Sequence, residues 1–433
     1  MKKIYNLLFL LLSVMAFASC TSEVDEVFDK SSAQRVNEAM SEYKNILTSA
    51  ENGWLMKYYP KANTTYGGYS VFVKFGTDDN ATVVSDALGA DQVSSGHFKL
   101  EQSAGVVLSF DEYNEVMHFF SDPKNPYGLG TNGKGMEGDF EFRILSATAE
   151  KVVMLGKKHG ATIVMTPVAA GASYTDLIDK MTALDEEMYF PSYRCTAGEA
   201  TYSVSLSNRV LEFSRDGVAE DPITAPYIVT TEGMEFYEPI VLNGDTVKGF
   251  KYVGGDSYEF DATSAANVKM YGVIPPLTTQ LVNGNWFFSP KAMGDYSKMY
   301  WDACNELSQS EAVGESMSYC YLGTATSSAS KGRYGIVFVS ANTYAGCLYY
   351  DAIPVDDTHI TLKFLLQGDS NGVWYYSNAG YKYIVAALGG SNGKTYSIEG
   401  NDLKSPTQLK LVDESDPTNY YILSKKAIYD PFE

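Results

Sequence analysis

The sequence predicts a mainly β protein with a few helices, a β-rich α+β chain whose antiparallel sheets form sandwich or barrel-like modules. Three observations predict it. Short runs rich in Tyr, Val, Ile and Thr recur at hairpin spacing along nearly the whole chain, separated by Gly, Asp and Asn turns. Only three stretches carry a convincing helical period. Tyrosine is abundant, 33 against four tryptophans, and it suits both strands and amphipathic contact surfaces. At 433 residues the chain has room for two or three domains.

The N-terminus reads as an address. Lys2 and Lys3 precede an apolar run from Leu7 to Phe17 that is broken only by Ser13. As a helix that run would rise only ~16 Å, too short for a bilayer core of roughly 30 Å. Residues 1–19 therefore read as a signal peptide. Phe17-Ala18-Ser19-Cys20 resembles the lipobox of bacterial lipoproteins, which implies a diacylglycerol on Cys20 and cleavage before it. Several acyl chains at ~0.8 kcal/mol per buried CH₂ hold a protein on a membrane. Residues 20–30 form an acidic tether. Its Ser22, Glu23, Asp25 and Glu26 resemble the Bacteroidetes signal that carries lipoproteins to the outer face of the outer membrane. The alternative is a plain solvated tether on the periplasmic leaflet.

The first predicted helix follows Ser31-Ser32, with Val36, Ala39, Met40, Tyr43, Ile46, Leu47 and Ala50 on one face, and ends at Asn52-Gly53. The second is capped by Ser173, carries Leu177, Ile178, Met181 and Leu184, and stops before Pro191. The third starts at Ser289-Pro290 and runs through Met293, Tyr296, Tyr300, Ala303 and Leu307. Predicted strands include 69–75, 106–110, 140–145, 152–155, 162–166, 211–213, 227–231, 250–253, 336–339, 348–350, 358–366, 408–412 and 420–423. Such spacing means antiparallel sheets, sandwiches or barrels rather than βαβ units.

The chain also repeats itself. Asn52-Gly53-Trp54 through Tyr58-Tyr59-Pro60-Lys61-Ala62 is similar to Asn283-Gly284-Asn285-Trp286 through Ser289-Pro290-Lys291-Ala292. A Gly-aromatic strand and then Asp-Ala (Asp86-Ala87, Asp351-Ala352) follow each copy. This predicts related β-rich modules over 31–170 and 276–433, with 171–275 as a middle module of helix plus strands. The lipoprotein leader, Ala50-Glu51-Asn52-Gly53-Trp54 and Tyr58-Tyr59-Pro60 together resemble an uncharacterised family of Bacteroidetes outer-membrane lipoproteins, the domain-of-unknown-function 4302 family. That resemblance implies an accessory lipoprotein of a TonB-dependent nutrient-uptake system and brings no catalytic residues with it.

Charge narrows the partners. The formal charge is −20, and removing a leader with two lysines and no acid takes it to −22. Such a surface repels phosphate backbones, so no nucleic acid is expected. Cys195, Cys304, Cys320 and Cys347 permit three disulfide pairings, but Cys320 and Cys347 sit in apolar strand-like runs and read as buried thiols.

Chemical motifs mostly fail on their surroundings. Gly128–Lys134 fits half of a phosphate loop, yet Gly135 stands where the hydroxyl should be and a strand follows instead of a helix. Gly389-Gly390-Ser391-Asn392-Gly393 matches a nucleophile elbow, but all four histidines (His97, His118, His159, His359) precede it, and a hairpin turn at Asn392-Gly393 explains the same residues. Those histidines show no zinc spacing, and Asp78-Asp79-Asn80 and Asp413-Glu414-Ser415-Asp416 read as solvated turns rather than calcium loops. No metal, cofactor or catalytic residue is assigned.

The aromatics remain. Trp54 and Trp286 read as structural, and adjacent tyrosines in a strand should point to opposite faces. Trp374, Tyr375 and Tyr376 follow the turn-rich Asp369-Ser370-Asn371-Gly372 and are the candidate ligand-binding residues, expected at a sheet edge or loop tip. The sequence thus predicts a surface lipoprotein, non-enzymatic, that binds a glycan, a peptide or a neighbouring uptake-system protein. A secreted hydrolase with an acid pair hidden in the sequence and a structural or adhesive surface protein are the alternatives.

Overall fold

The computed structural model describes residues 31–125 and 127–432. The leader and tether, with Cys20, Ser22, Glu23, Asp25 and Glu26, lie outside the described residues. Three antiparallel sheets follow one another along the chain, each entered through a helix.

Helix α1 (Ser32–Ser49) begins with a capping box, in which Ser31 Oγ accepts from Gln34 N and Gln34 Oε1 accepts from Ser31 N. It leads into β1 (Trp54–Tyr58), β2 (Tyr69–Phe75), β3 (Asn80–Ser85), β4 (Gly89–His97), β5 (Lys99–Ser103), β6 (Gly105–Ser109), the short α2 (Glu115–Phe119), β7 (Glu141–Ala147), β8 (Val152–Gly156) and β9 (Thr162–Pro167). The sheet order is β4-β3-β2-β1-β9-β8-β7-β6-β5. Its two end strands are consecutive in the chain with only Phe98 between them, so the edges are joined covalently. Phe98 itself is fully buried and meets Phe75 at 4.8 Å.

Helix α3 (Tyr174–Met188), capped by Ser173 as predicted, opens the second unit. β10 (Ser192–Ala197), β11 (Ala200–Ser207), β12 (Val210–Arg215), β13 (Ile223–Val229), β14 (Gly233–Leu242), β15 (Asp245–Gly254), β16 (Glu259–Ala262) and β17 (Val268–Val273) close into an eight-stranded barrel. β10 pairs with β17 from Ser192↔Val273 to Ala197↔Val268, which leaves no free edge. Inward and outward residues alternate, and Tyr193, Tyr202, Phe213, Tyr227, Phe250 and Phe260 fill the interior. The middle segment, predicted as helix plus strands, therefore makes a complete barrel of its own.

The third unit starts with α4 (Leu277–Asn283) and β18 (Trp286–Phe287). The predicted third helix begins later than expected. A 3₁₀ turn covers Pro290–Ala292, Met293 bridges Tyr421 in extended form, and α5 spans Asp295–Ser308. The delay has a cause: Gly294 N donates to Tyr420 O, and a Cβ on Gly294 would lie 2.0 Å from Thr418 O, so this stretch is pinned to the neighbouring strand. Then come β19 (Met317–Thr324), β20 (Tyr334–Ser340), β21 (Tyr344–Pro354), β22 (His359–Gly368), α6 (Ser370–Asn378), α7 (Tyr381–Gly389), β23 (Lys394–Gly400), β24 (Gln408–Asp413) and β25 (Tyr420–Ser424), closing a second eight-stranded barrel.

One device recurs at each entry. Trp54 Nε1 donates to Leu47 O at 2.8 Å, Tyr193 Oη to Met188 O at 2.8 Å, and Trp286 Nε1 to Gln280 O at 3.2 Å. In each case an aromatic near the start of the first strand reaches back to a carbonyl of the preceding helix. A carbonyl without a helical partner is thereby satisfied, and the helix is fixed over its sheet.

Several sequence readings change. Tyr58 and Tyr59 are both buried, because the outward Tyr59 packs edge-on against Tyr237 of the second barrel at 4.6 Å. The run before Gly389 is helix α7, so residues 390–393 turn from helix to strand and the hairpin expected at Asn392-Gly393 does not form. Asp413 is no solvated turn. It is buried at the inward end of β24, where Lys394, Ser415 and Asn419 donate to its carboxylate. Burial alone would raise its pKa, but these hydrogen bonds hold it below the ordinary value.

Candidate functional site

Trp374, Tyr375 and Tyr376 lie on helix α6, neither at a sheet edge nor at a loop tip. The turn-like Asp369-Ser370-Asn371-Gly372 starts that helix because Asp369 is its N-cap. Asp369 Oδ1 accepts from Gly372 N at 2.7 Å and Cys347 N at 3.1 Å, and Oδ2 accepts from Ser330 Oγ at 2.6 Å. The helix can sit this close to β21 only because residue 372 lacks a side chain: a Cβ there would stand 2.2 Å from Cys347 O.

Helical geometry divides the three aromatics. Tyr375 is 3% exposed, packs against Phe338 and Tyr381, and donates its hydroxyl to Glu315. Tyr376 is half-buried and stacks on Phe364 at 5.4 Å. Trp374 is 46% exposed and meets Tyr375 edge-on at 5.0 Å. Val373 beside it is also exposed. Of the three candidates only Trp374 is presented outward, on a helix fastened at its start and packed from beneath.

A cleft of about 450 Å³ in the first unit gathers Lys134, Glu137, Asp139, Glu141, Lys158 and His159. Its wall includes part of the glycine-rich segment, which is a loop held by a Thr131–Gly135 bridge and leads into β7. Carboxylates converge here, yet each is committed. Glu137 pairs with Lys61, which holds its carboxyl below the usual range. Asp139 accepts from the backbone N–H of Lys158 and His159, and Glu141 pairs with Lys157 at 2.9 Å.

A second groove, of about 360 Å³, runs along the seam between the two closed barrels. Tyr189, Pro191 and Pro275 come from the second unit, and Thr279, Asn283, Trp286, Lys404, Pro406 and Lys425 from the third. Lys404 crosses the seam, donating to Glu187 O and lying 4.0 Å from the Phe190 ring. Sequence reasoning missed this groove. Its residues are up to 236 positions apart, and the only local hints are the prolines that flank the linkers.

The histidines remain scattered. His97 pairs with Asp111 at 2.6 Å, His118 stacks on Phe140 with its pKa lowered by burial, and His359 faces Asp356 and Glu414. Among the described residues no group of three or more His, Cys, Asp or Glu is placed to hold a metal. Cys195, Cys304, Cys320 and Cys347 are free and buried. Burial pushes the Cys195, Cys304 and Cys347 thiols up to about 12, the reverse of what a nucleophile requires.

The model of one family, described as a domain of unknown function (DUF4302), matches residues 24–254. The match takes in the whole first sheet and β10–β15 of the second unit. No curated protein matches the chain. Among solved structures, the β chain of DNA polymerase III from Streptococcus pneumoniae TIGR4 is 11% identical with a TM-score of 0.12, covering 91% of this chain and 98% of that one. The Helicobacter pylori β clamp bound to DNA ligase peptide is 7% identical with a TM-score of 0.11, covering 91% and 98%. Superpositions that poor carry no argument about fold or function.

Proposed function

The chain belongs to the DUF4302 family, and from that premise we propose a lipid-anchored outer-membrane lipoprotein, facing the cell exterior, that binds a ligand or partner for a nutrient-uptake system without chemical turnover. The lipobox-like Phe17–Cys20 and the acidic residues after it support the anchor and its address. The observation that carries the binding reading is Trp374: a half-exposed indole on a helix whose Tyr375 is buried and whose half-buried Tyr376 is stacked on Phe364. A rigid aromatic offers apolar, planar contact with few rotors to freeze, which suits a sugar face or a partner's side chain. The commitment of Glu137, Asp139 and Glu141 to structural partners favours this reading over the hydrolase.

Two variants test it. Cys20→Ala should move the protein from the membrane to the soluble fraction; retention in the detergent phase refutes the anchor. Trp374→Ala should weaken binding in a glycan and peptide array by roughly 2 kcal/mol or more with the melting temperature unchanged. Tyr376→Ala is a poor probe, because it removes a ring stacked on Phe364. A screen in which wild type and Trp374→Ala bind alike refutes the α6 site.

A further inference from the structure

We propose that the groove between the two closed barrels is a binding site for a carboxylated oligosaccharide, separate from the α6 surface. The chain carries 53 acids against 33 bases, yet no Asp or Glu lines this groove among the described residues, while Lys404 and Lys425 do. The first-unit cleft, by contrast, is lined by three carboxylates. An acid-free wall with two ammonium groups, on a protein this negative, selects an anionic ligand by local potential against a repulsive background.

The groove also holds unspent hydrogen-bonding capacity. The hydroxyls of Tyr189, Thr279 and Ser405, the amide of Asn283 and the ammonium of Lys425 line the groove, and none has a partner within the described residues. Lys404 is occupied, since it donates to Glu187 O and lies over Phe190, with Glu187 and Asp402 acting on its charge from outside the lining. Of the two lysines lining the groove, Lys425 is therefore the one whose ammonium has no partner among the described residues. Several hydroxyl and amide groups around one free ammonium match a polyol bearing a carboxylate. Tyr189, 55% exposed, and three prolines supply flat apolar surface for the C–H face of a pyranose. The volume, about 360 Å³, falls within the roughly 300–1,000 Å³ of ligand pockets, which favour domain interfaces.

Calorimetric titration of the full-length protein in detergent with trigalacturonate and with its methyl ester tests this directly. The acid should bind, and the ester at least tenfold more weakly. Lys425→Gln should erase that preference and Lys425→Arg restore it. Tyr189→Ala should weaken both ligands tenfold or more, and Trp374→Ala should leave both unchanged. The proposal is overturned if trigalacturonate gives no binding, if acid and ester bind equally to wild type, or if Lys425→Gln keeps the preference. Loss of binding in Trp374→Ala would overturn it too, because the sugar would then sit on α6; loss of partner binding there, with trigalacturonate binding intact, bears only on the α6 reading.

Discussion

The two seams of this molecule are built differently. Between the first and second units the cores are fused: Ile228 and Tyr237 pack into the first core, while Phe72 and Val84 belong to the second. Backbone and side chains cross as well, with Gly68 N donating to Tyr227 O and Ser70 Oγ to Val229 O. Arg209 is the centre of that seam. It reaches Asp86 and Asp185 at 2.7 Å each, donates to Gly68 O, and lies 4.7 Å over the Tyr69 ring. Between the second and third units no core residue is shared among the described residues. Lys404 spans a gap there that is walled by prolines. A fused core unfolds as one body, whereas a thin polar seam leaves two bodies and a place for a ligand. The family match stops at Gly254, inside the second barrel, and so covers most of the fused pair and none of the third unit.

The largest expected effect comes from breaking the fused seam. Arg209→Ala strands the 1%-exposed side chain of Asp86 without its counter-charge, a loss of about 3–5 kcal/mol. Chemical denaturation should show the first two units destabilised together and the third untouched; a loss confined to one unit refutes the fusion. Next are the entry aromatics. Trp54→Phe leaves Leu47 O without its indole donor and should cost about 1–3 kcal/mol in the transition of the fused pair. Trp286→Phe should shift only the third unit's transition, and a single transition moved equally by both variants would show one cooperative body instead. The smallest effect belongs to Lys404→Ala, which gives up a part-exposed cation–π contact worth about 0.5–2 kcal/mol. Both transitions should hold within about 2 kcal/mol while small-angle scattering reports a looser pair. A drop as large as that of Arg209→Ala would mean the second seam is not the weaker.

Legibility followed distance along the chain. β2 falls on its predicted bounds, and helices α1 and α3 begin at the serines that cap them. Helices α6 and α7 were missed for different reasons. A nine-residue stretch starting Ser-Asn-Gly is a poor helix by propensity, and α6 exists because Asp369 caps it and Gly372 lets it lie on β21. α7 is apolar enough to pass for a buried strand. The α6 candidates were found as a segment but not sorted, since only helical geometry turns Tyr375 inward and Trp374 outward. The seam groove was illegible, because Tyr189 and Lys425 share no local pattern.

By itself the sequence determined the class, the bounds of β2 and the serine caps of α1 and α3, because these depend on backbone geometry and hydrogen bonds spanning a few residues. It also marked Trp54 and Trp286 as structural, and both are buried, while the bonds they make back to their helices came only with the fold. Tertiary structure alone decided that the middle segment closes a barrel with a tyrosine-led entry of its own, that Tyr59 is buried by a neighbouring unit, and that one seam is fused and the other open. Closure rests on pairs such as Ser192 with Val273, and seams on surfaces that meet only after each sheet has formed. No window of sequence holds both partners of such a contact, so the outcome is set by which surfaces fit once folded.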